Sequence, residues 1–228
     1  MRLYPLAYSA ALLPLFTIHL CYVVAASYGH VDWCIPYIDS CTSISAGGRH
    51  PPEFFLFKAL MLPTAVILLC YWLCCERWLA ALSSRPERRY WGLLTLAVIS
   101  SLGLILYSVM LGAIGDAYRL QRRIGVTTFF GFSYLAQLLI NYRLSQVTIS
   151  LEPLLKQKHW LTFLSILVLV VGLASVVFNA IDEDYYDTKE DAFEWSLTLL
   201  LCLHALVTGR LWQTTGFKIN FKLNGTND

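Results

Sequence analysis

The sequence predicts an all-α fold: a polytopic membrane helix bundle of six transmembrane helices with both termini cytoplasmic. Three observations predict it. Only 14% of the 228 residues are charged while 57% are hydrophobic, the charges punctuate long uncharged runs, and Lys and Arg fall unevenly on alternate sides of those runs. A soluble domain carries about 25% charged residues, so this chain lacks the polar surface to cover a globule. That excludes a cytosolic enzyme, a disordered chain and a nucleic-acid binder.

A bilayer core is crossed by a helix of about 20 apolar residues, and six stretches supply one, near 6–27, 53–75, 91–114, 124–142, 160–181 and 192–212. No formal charge lies between Arg2 and Asp32, which gives the first helix. Its run exceeds the roughly 7–15 residues of a signal-peptide core and is read as retained. Phe54 to Cys75 is interrupted only by Lys58, and Pro51 and Pro52 stand at its start, where a missing N–H costs nothing. Trp91–Gly115, Ile124–Tyr142 and Trp160–Ile181 are free of charge. Trp195–Gly209 reaches a full span if Arg210 snorkels. The runs are continuously apolar rather than alternating over about 10 residues, as barrel strands are, and helices satisfy every backbone group within one segment.

Between the spans, residues 28–52 form the longest outer loop, Gly115–Arg123 a short outer turn, and Asp182–Glu194 a strongly acidic outer loop. Ser83–Tyr90 reads as a basic cytoplasmic anchor. Residues 145–159 read as an inner loop whose apolar positions lie on the membrane surface, and Phe217–Leu223 as an interfacial tail. No internal repeat or low-complexity linker divides the chain, so 1–228 is one domain.

Lys and Arg set the orientation, because they accumulate on the cytoplasmic side. With the N-terminus inside, eleven of the 17 fall inside and six outside. The acids are distributed the other way, eleven outside and four inside, so a net charge of +2 conceals a charge polarity across the bilayer. Arg119, Arg122 and Arg123 oppose the rule and call for a local reason.

Of seven cysteines, only Cys34 and Cys41 fall in an outer loop, where an oxidising compartment favours a disulfide. No His or Cys set has metal-site spacing, and no cofactor motif is present.

Ionisable groups at membrane depth are costly and therefore informative. Glu53 and Glu194 each open a helix on the outer side. Either they complement the helix dipole, worth about 0.3–1 kcal/mol, or they converge with Lys58, Arg122, Arg123 and Trp195 on a lipid headgroup. In the second reading the arginines would donate to phosphate and the carboxylates would meet amine or hydroxyl groups. Lys58 reads equally as a snorkelling side chain, and Asp116 and Arg119 as a local pair. His19 and His204 read as hydrogen-bonded packing residues, and the small residues Ser101, Ser108, Gly112 and Gly115 as a helix-packing stripe.

Three stretches resemble the DRAM/Frag/Sfk family of six-helix membrane proteins. These are Ile44-Ser45-Ala46-Gly47-Gly48-Arg49-His50-Pro51-Pro52-Glu53 before the second helix, Arg122-Arg123-Ile124-Gly125-Val126-Thr127-Thr128-Phe129-Phe130 opening the fourth, and Ala192-Phe193-Glu194-Trp195 opening the sixth. The family includes damage-regulated autophagy modulators, GPI-anchor lipid-remodelling factors and the N-terminal region of a fungal GPI-lipid-remodelling cell-wall protein. The resemblance implies six helices and a polar outer-side group at Arg122 and Arg123, and it favours a role for Glu53 and Glu194 beyond capping.

The expected function is an integral membrane protein that binds or organises lipids, or supports a lipid-modifying partner, through a polar site facing the outer leaflet. The expected partners are membrane lipids and, as a second class, another membrane protein; nucleic acid is not among them. The competing reading is a membrane-embedded lipid-remodelling enzyme, an acyl or headgroup hydrolase or transferase, with Glu53 or Glu194 as general base. The residues favour a non-enzyme and leave catalysis open. A small transporter is the third class, disfavoured because no span is broken by a polar, Gly-rich midpoint. Short loops favour a bacterial inner membrane over a eukaryotic endomembrane or plasma membrane.

Overall fold

In the computed structural model, residues 2–83, 91–147 and 152–218 are described. Six helices are long and apolar enough to cross a membrane: α1 (Tyr4–Ser27), α3 (Glu53–Leu82), α4 (Trp91–Met110), α5 (Asp116–Ser145), α6 (Glu152–Ile181) and α8 (Glu190–Thr214). Two short helices, α2 (Pro36–Asp39) and α7 (Glu183–Asp187), lie in connections at one end. Here that end is termed the loop end. At the opposite, terminal end Arg2 and Lys218 form an isolated antiparallel bridge.

The chain is helical where it is uncharged, and in places beyond. Helices α3, α5 and α6 each run 30 residues, or about 45 Å at 1.5 Å per residue, against a hydrocarbon core of about 30 Å. The excess carries the polar residues that the sequence reading assigned to loops. Residues 116–123 are not a turn but the first two turns of α5, and 152–159 begin α6 rather than lying along the membrane surface. Charge ends a membrane span without ending a helix, because water satisfies projecting side chains while the backbone ladder continues. The basic anchor at 84–90, the positions 148–151 and the tail from residue 219 onward lie outside the described residues.

The six long helices close a ring in chain order, each packing on the next and α8 returning to α1. The tightest crossing joins α4 to α5. A Cβ at Gly125 would lie 2.7 Å from the Tyr107 backbone nitrogen, and one at Gly103 would lie 2.8 Å from that of Phe129. Small residues mark this interface, with its closest approach at Gly103 and Gly125; of the expected stripe, Ser101 and Ser108 are buried and Gly112 lies against Phe54 and the Arg49 carbonyl. Ser100 and Ser133 share a 2.6 Å hydrogen bond across it.

Of the six neighbouring pairs, α5 and α6 pack most sparsely, and polar side chains hold them together. Asn141 donates to Ser165 Oγ at 2.7 Å and to the Leu161 carbonyl at 3.2 Å. Tyr134 donates to the Ser165 carbonyl. Asn141 Oδ1 in turn accepts from His204 Nε2 on α8 at 3.2 Å, and Gln137 Nε2 donates to the Leu201 carbonyl. His204 is thus a packing histidine. His19 is too: its Nδ1–H donates to Leu15 O at 2.7 Å, so Nε2 is left to accept from the Tyr37 hydroxyl at 3.1 Å.

Candidate functional site: a cavity closed by the first loop

The loop between α1 and α3 is fixed by its own covalent link and by two side chains of α8. Cys34 and Cys41 are joined in a disulfide with Cα atoms 6.5 Å apart. The Tyr22 hydroxyl accepts from the Cys34 N–H at 2.7 Å and donates to the Cys34 carbonyl at 2.8 Å. Trp195 Nε1–H donates to the Thr42 carbonyl at 2.9 Å, and the Ile44 N–H donates to Glu194 Oε2 at 3.1 Å. The Trp195 ring is buried, with His19, Tyr22 and Tyr37 meeting it edge-on.

This geometry assigns the two carboxylates different roles. Glu194 is the fifth residue of α8, which starts at Glu190, so it does not cap the helix. Instead it anchors the loop and faces a cavity. Glu53 is the first residue of α3 and has a fully buried side chain. Its Oε1 accepts from His30 Nδ1 at 2.7 Å, while its Oε2 has no partner among the described residues. His30 remains 27% exposed and its ring lies 5.1 Å from that of His50.

The basic candidates do not join the carboxylates. Lys58 Nζ donates to the Val109 carbonyl at 2.9 Å and sits 4.1 Å over the Phe54 ring. Arg122 donates to the Met110 and Ala113 carbonyls. It thereby serves carbonyl groups at and just beyond the C-terminus of α4, where positive charge is favoured. That is the local reason for an arginine at this end. Arg123 is exposed, and Arg119 pairs with Asp116.

Inside the ring lies a narrow cavity of about 60 Å³ whose exposed lining is almost wholly apolar. Helices α1, α3, α4, α5 and α8 contribute to it, through residues such as Pro14, Phe57, Leu104, Phe129 and Leu201, and α6 contributes none. At the loop end it meets Ile44 and Glu194; Tyr107, Ser133, Gln137 and Thr198 are its other main polar groups. The Tyr107 hydroxyl and Gln137 Oε1 are buried with no hydrogen-bond partner among the described residues. The unpaired Tyr107 hydroxyl and Gln137 Oε1 and the Glu194 carboxylate thus border a cavity that is otherwise apolar. Tyr107 also lies within electrostatic reach of Arg49 and Arg122 as well as Glu194. Among the described residues, no group of three His, Cys, Asp or Glu could hold a metal ion.

Compared with models of known protein families, residues 2–209 match the Frag1/DRAM/Sfk1/Cwh43P N-terminal domain. The chain belongs to this family. Comparisons with curated proteins and with solved structures gave no match. The stretch matched to the Frag1/DRAM/Sfk1/Cwh43P N-terminal domain begins before α1 and runs into the last two turns of α8. It therefore contains the anchored loop, the His30–Glu53 pair and every cavity-lining residue named above.

Three site residues were not singled out by sequence reasoning. His30 stands alone after a helix end, and no periodic pattern points to a single loop histidine. Tyr107 passes for an ordinary aromatic in a membrane span. Gln137 did carry a signal, being an amide within an otherwise apolar run.

Proposed function

We propose that the protein binds a membrane lipid at its helix ring, with a polar group held at Glu194 and Tyr107 and the start of an apolar chain entering the narrow cavity beneath. The observation that supports this reading best is the position of Glu194, which anchors the first loop with one oxygen while lining an apolar cavity. With the termini in the cytoplasm, as the excess of Lys and Arg at the terminal end favours, the loop end faces the outer leaflet. Lipid binding or organisation, or support of a partner that modifies the lipid, follows from such a site without a bond being made or broken.

The test is the Glu194→Gln variant in purified protein, with co-purifying lipid identified by mass spectrometry and thermal stability followed in parallel. The reading expects the variant to stay folded and to lose its lipid. Unchanged lipid content in a folded variant would leave Glu194 as a loop anchor only.

One observation favours catalysis as a second reading. The His30 ring is oriented by a buried carboxylate and remains open to solvent, an arrangement suited to a general base. Conversion of a supplied lipid by the wild type but not by Glu53→Gln would establish that reading, and no turnover by either protein would remove it.

A further inference from the structure

A second pocket, sharing no lining residue with the cavity, lies at the loop end where α6, α7 and α8 meet. Its volume is about 300 Å³, and its walls include the rings of Tyr37, Phe178, Tyr185, Tyr186 and Phe193 together with Lys189. The rings come from four helices, α2, α6, α7 and α8. Phe178 lies 6.4 Å from Tyr185 and 6.2 Å from Phe193, and Tyr186 stacks on Phe193 at 6.1 Å. Two of the rings are fixed through their hydroxyls, Tyr186 to Ser175 Oγ at 2.8 Å and Tyr37 to His19 Nε2 at 3.1 Å. Tyr185, Tyr186 and Lys189 belong to the acidic segment Asp182–Asp191, in which Lys189 is the single basic residue.

We propose that this pocket takes the headgroup of a phosphocholine lipid, its trimethylammonium among the aromatic rings and its phosphate on Lys189. Aromatic faces attract a cation through the ring quadrupole, and a quaternary ammonium suits them because it has no N–H to satisfy. A primary ammonium would need acceptors, and no carboxylate lines the pocket. The acidic segment raises the local concentration of cations, while Lys189 offers up to three donors to the phosphate. The outward face of α6, with Leu173, Val176, Val177 and Ile181, is exposed and apolar, so acyl chains leaving the pocket around this helix would meet an apolar surface. This assignment does not depend on the occupancy of the Glu194 cavity.

The experiment uses the full chain in nanodiscs containing equal amounts of phosphatidylcholine, phosphatidylethanolamine and phosphatidylglycerol, with retained lipid read by native mass spectrometry. Wild type is expected to retain phosphatidylcholine over the other two. Tyr185→Leu and Phe193→Leu, which keep apolar bulk, should each reduce that preference by about threefold, the value of one cation–π contact. Lys189→Gln, which removes the contact to the phosphate that all three lipids share, should weaken the retention of all three and leave the preference for phosphatidylcholine in place. Melting curves establish that each variant is folded, and a variant that fails to fold is replaced by Tyr185→Phe plus Tyr186→Leu. Equal retention of the three lipids by wild type, or folded ring variants with unchanged preference, would overturn the proposal. Displacement of the lipid by soluble phosphocholine at equal concentration would overturn the lipid assignment in favour of a soluble choline compound.

Discussion

The crossing of α4 and α5 offers a perturbation whose size can be worked from the coordinates. In Gly125→Ala the new methyl would sit 2.7 Å from the Tyr107 nitrogen, 2.9 Å from the Gly103 carbonyl oxygen and 3.0 Å from the Tyr107 Cα. All three are backbone atoms, so no side-chain rotation relieves the contact. Restoring an ordinary separation of 3.4 Å requires the helices to part by about 0.7 Å along that line, and close-packed interiors accommodate such shifts poorly. Three backbone contacts at once put the overpacking cost in the upper part of its usual range, about 2–3 kcal/mol, and the better helix propensity of alanine returns roughly 1 kcal/mol. The net expectation is a destabilisation of about 1–2 kcal/mol, which in a chain of this length lowers Tm by about 2–8 °C. Thermal unfolding in a fixed detergent, monitored by tryptophan fluorescence, measures it. Gly131→Ala and Gly172→Ala are the controls, since a Cβ at either position meets nothing within 4 Å; both should melt at or slightly above wild type. If Gly125→Ala melts with the controls, α4 and α5 do not cross where the structure puts them.

Three further outcomes follow from contacts described above. His30→Ala leaves the Glu53 carboxylate buried without the one hydrogen-bond partner it has among the described residues; it should cost about 2–3 kcal/mol, part of which Glu53→Gln in the same chain restores, and an unchanged melting temperature would mean that the pair is not formed. Asn141→Leu removes the bonds from α5 to Leu161, Ser165 and His204, with an expected loss of about 1–2 kcal/mol and faster proteolysis at the α5–α6 connection; equal stability would show that apolar packing alone holds α6. A cysteine at the exposed position Asp184 should react with a membrane-impermeant maleimide in intact cells, whereas protection there and labelling only after lysis would reverse the orientation.

The sequence made the bundle legible because the solvent imposes it: a run of about 20 residues without charge has few alternatives in a bilayer. Helix ends were less legible, for the same reason. Arg123 marks where α5 leaves the apolar layer, and the helix continues for about two turns past it, through Arg122 and Arg119, to Asp116. Glu194 was read as opening its helix because Asp191 and Glu190 before it resemble loop residues; four more residues of helix change it from a dipole partner into a loop anchor. The convergence expected of Glu53, Lys58, Arg122, Arg123 and Glu194 rested on shared depth, which says nothing of direction around a helix axis. Lys58 and Arg122 instead meet backbone carbonyls of residues 109–113, acceptors that sequence cannot single out. The aromatic pocket was hidden because its rings come from four helices and no single stretch displays the set.

The return of α8 onto α1 has a bearing on biogenesis. During synthesis the first helix can pack on α3 early but meets its second neighbour, α8, only after the intervening helices have been made, and closure of so distant a contact is the slow part of folding. Until then Ala7 faces no Gly209, the Tyr8 ring has no glycine to lie against, and the first loop lacks both Glu194 and Trp195. Before α8 arrives the chain thus presents an open groove of small residues and a disulfide-bearing loop held from α1 and α3 alone. Completion of the ring hides both at once.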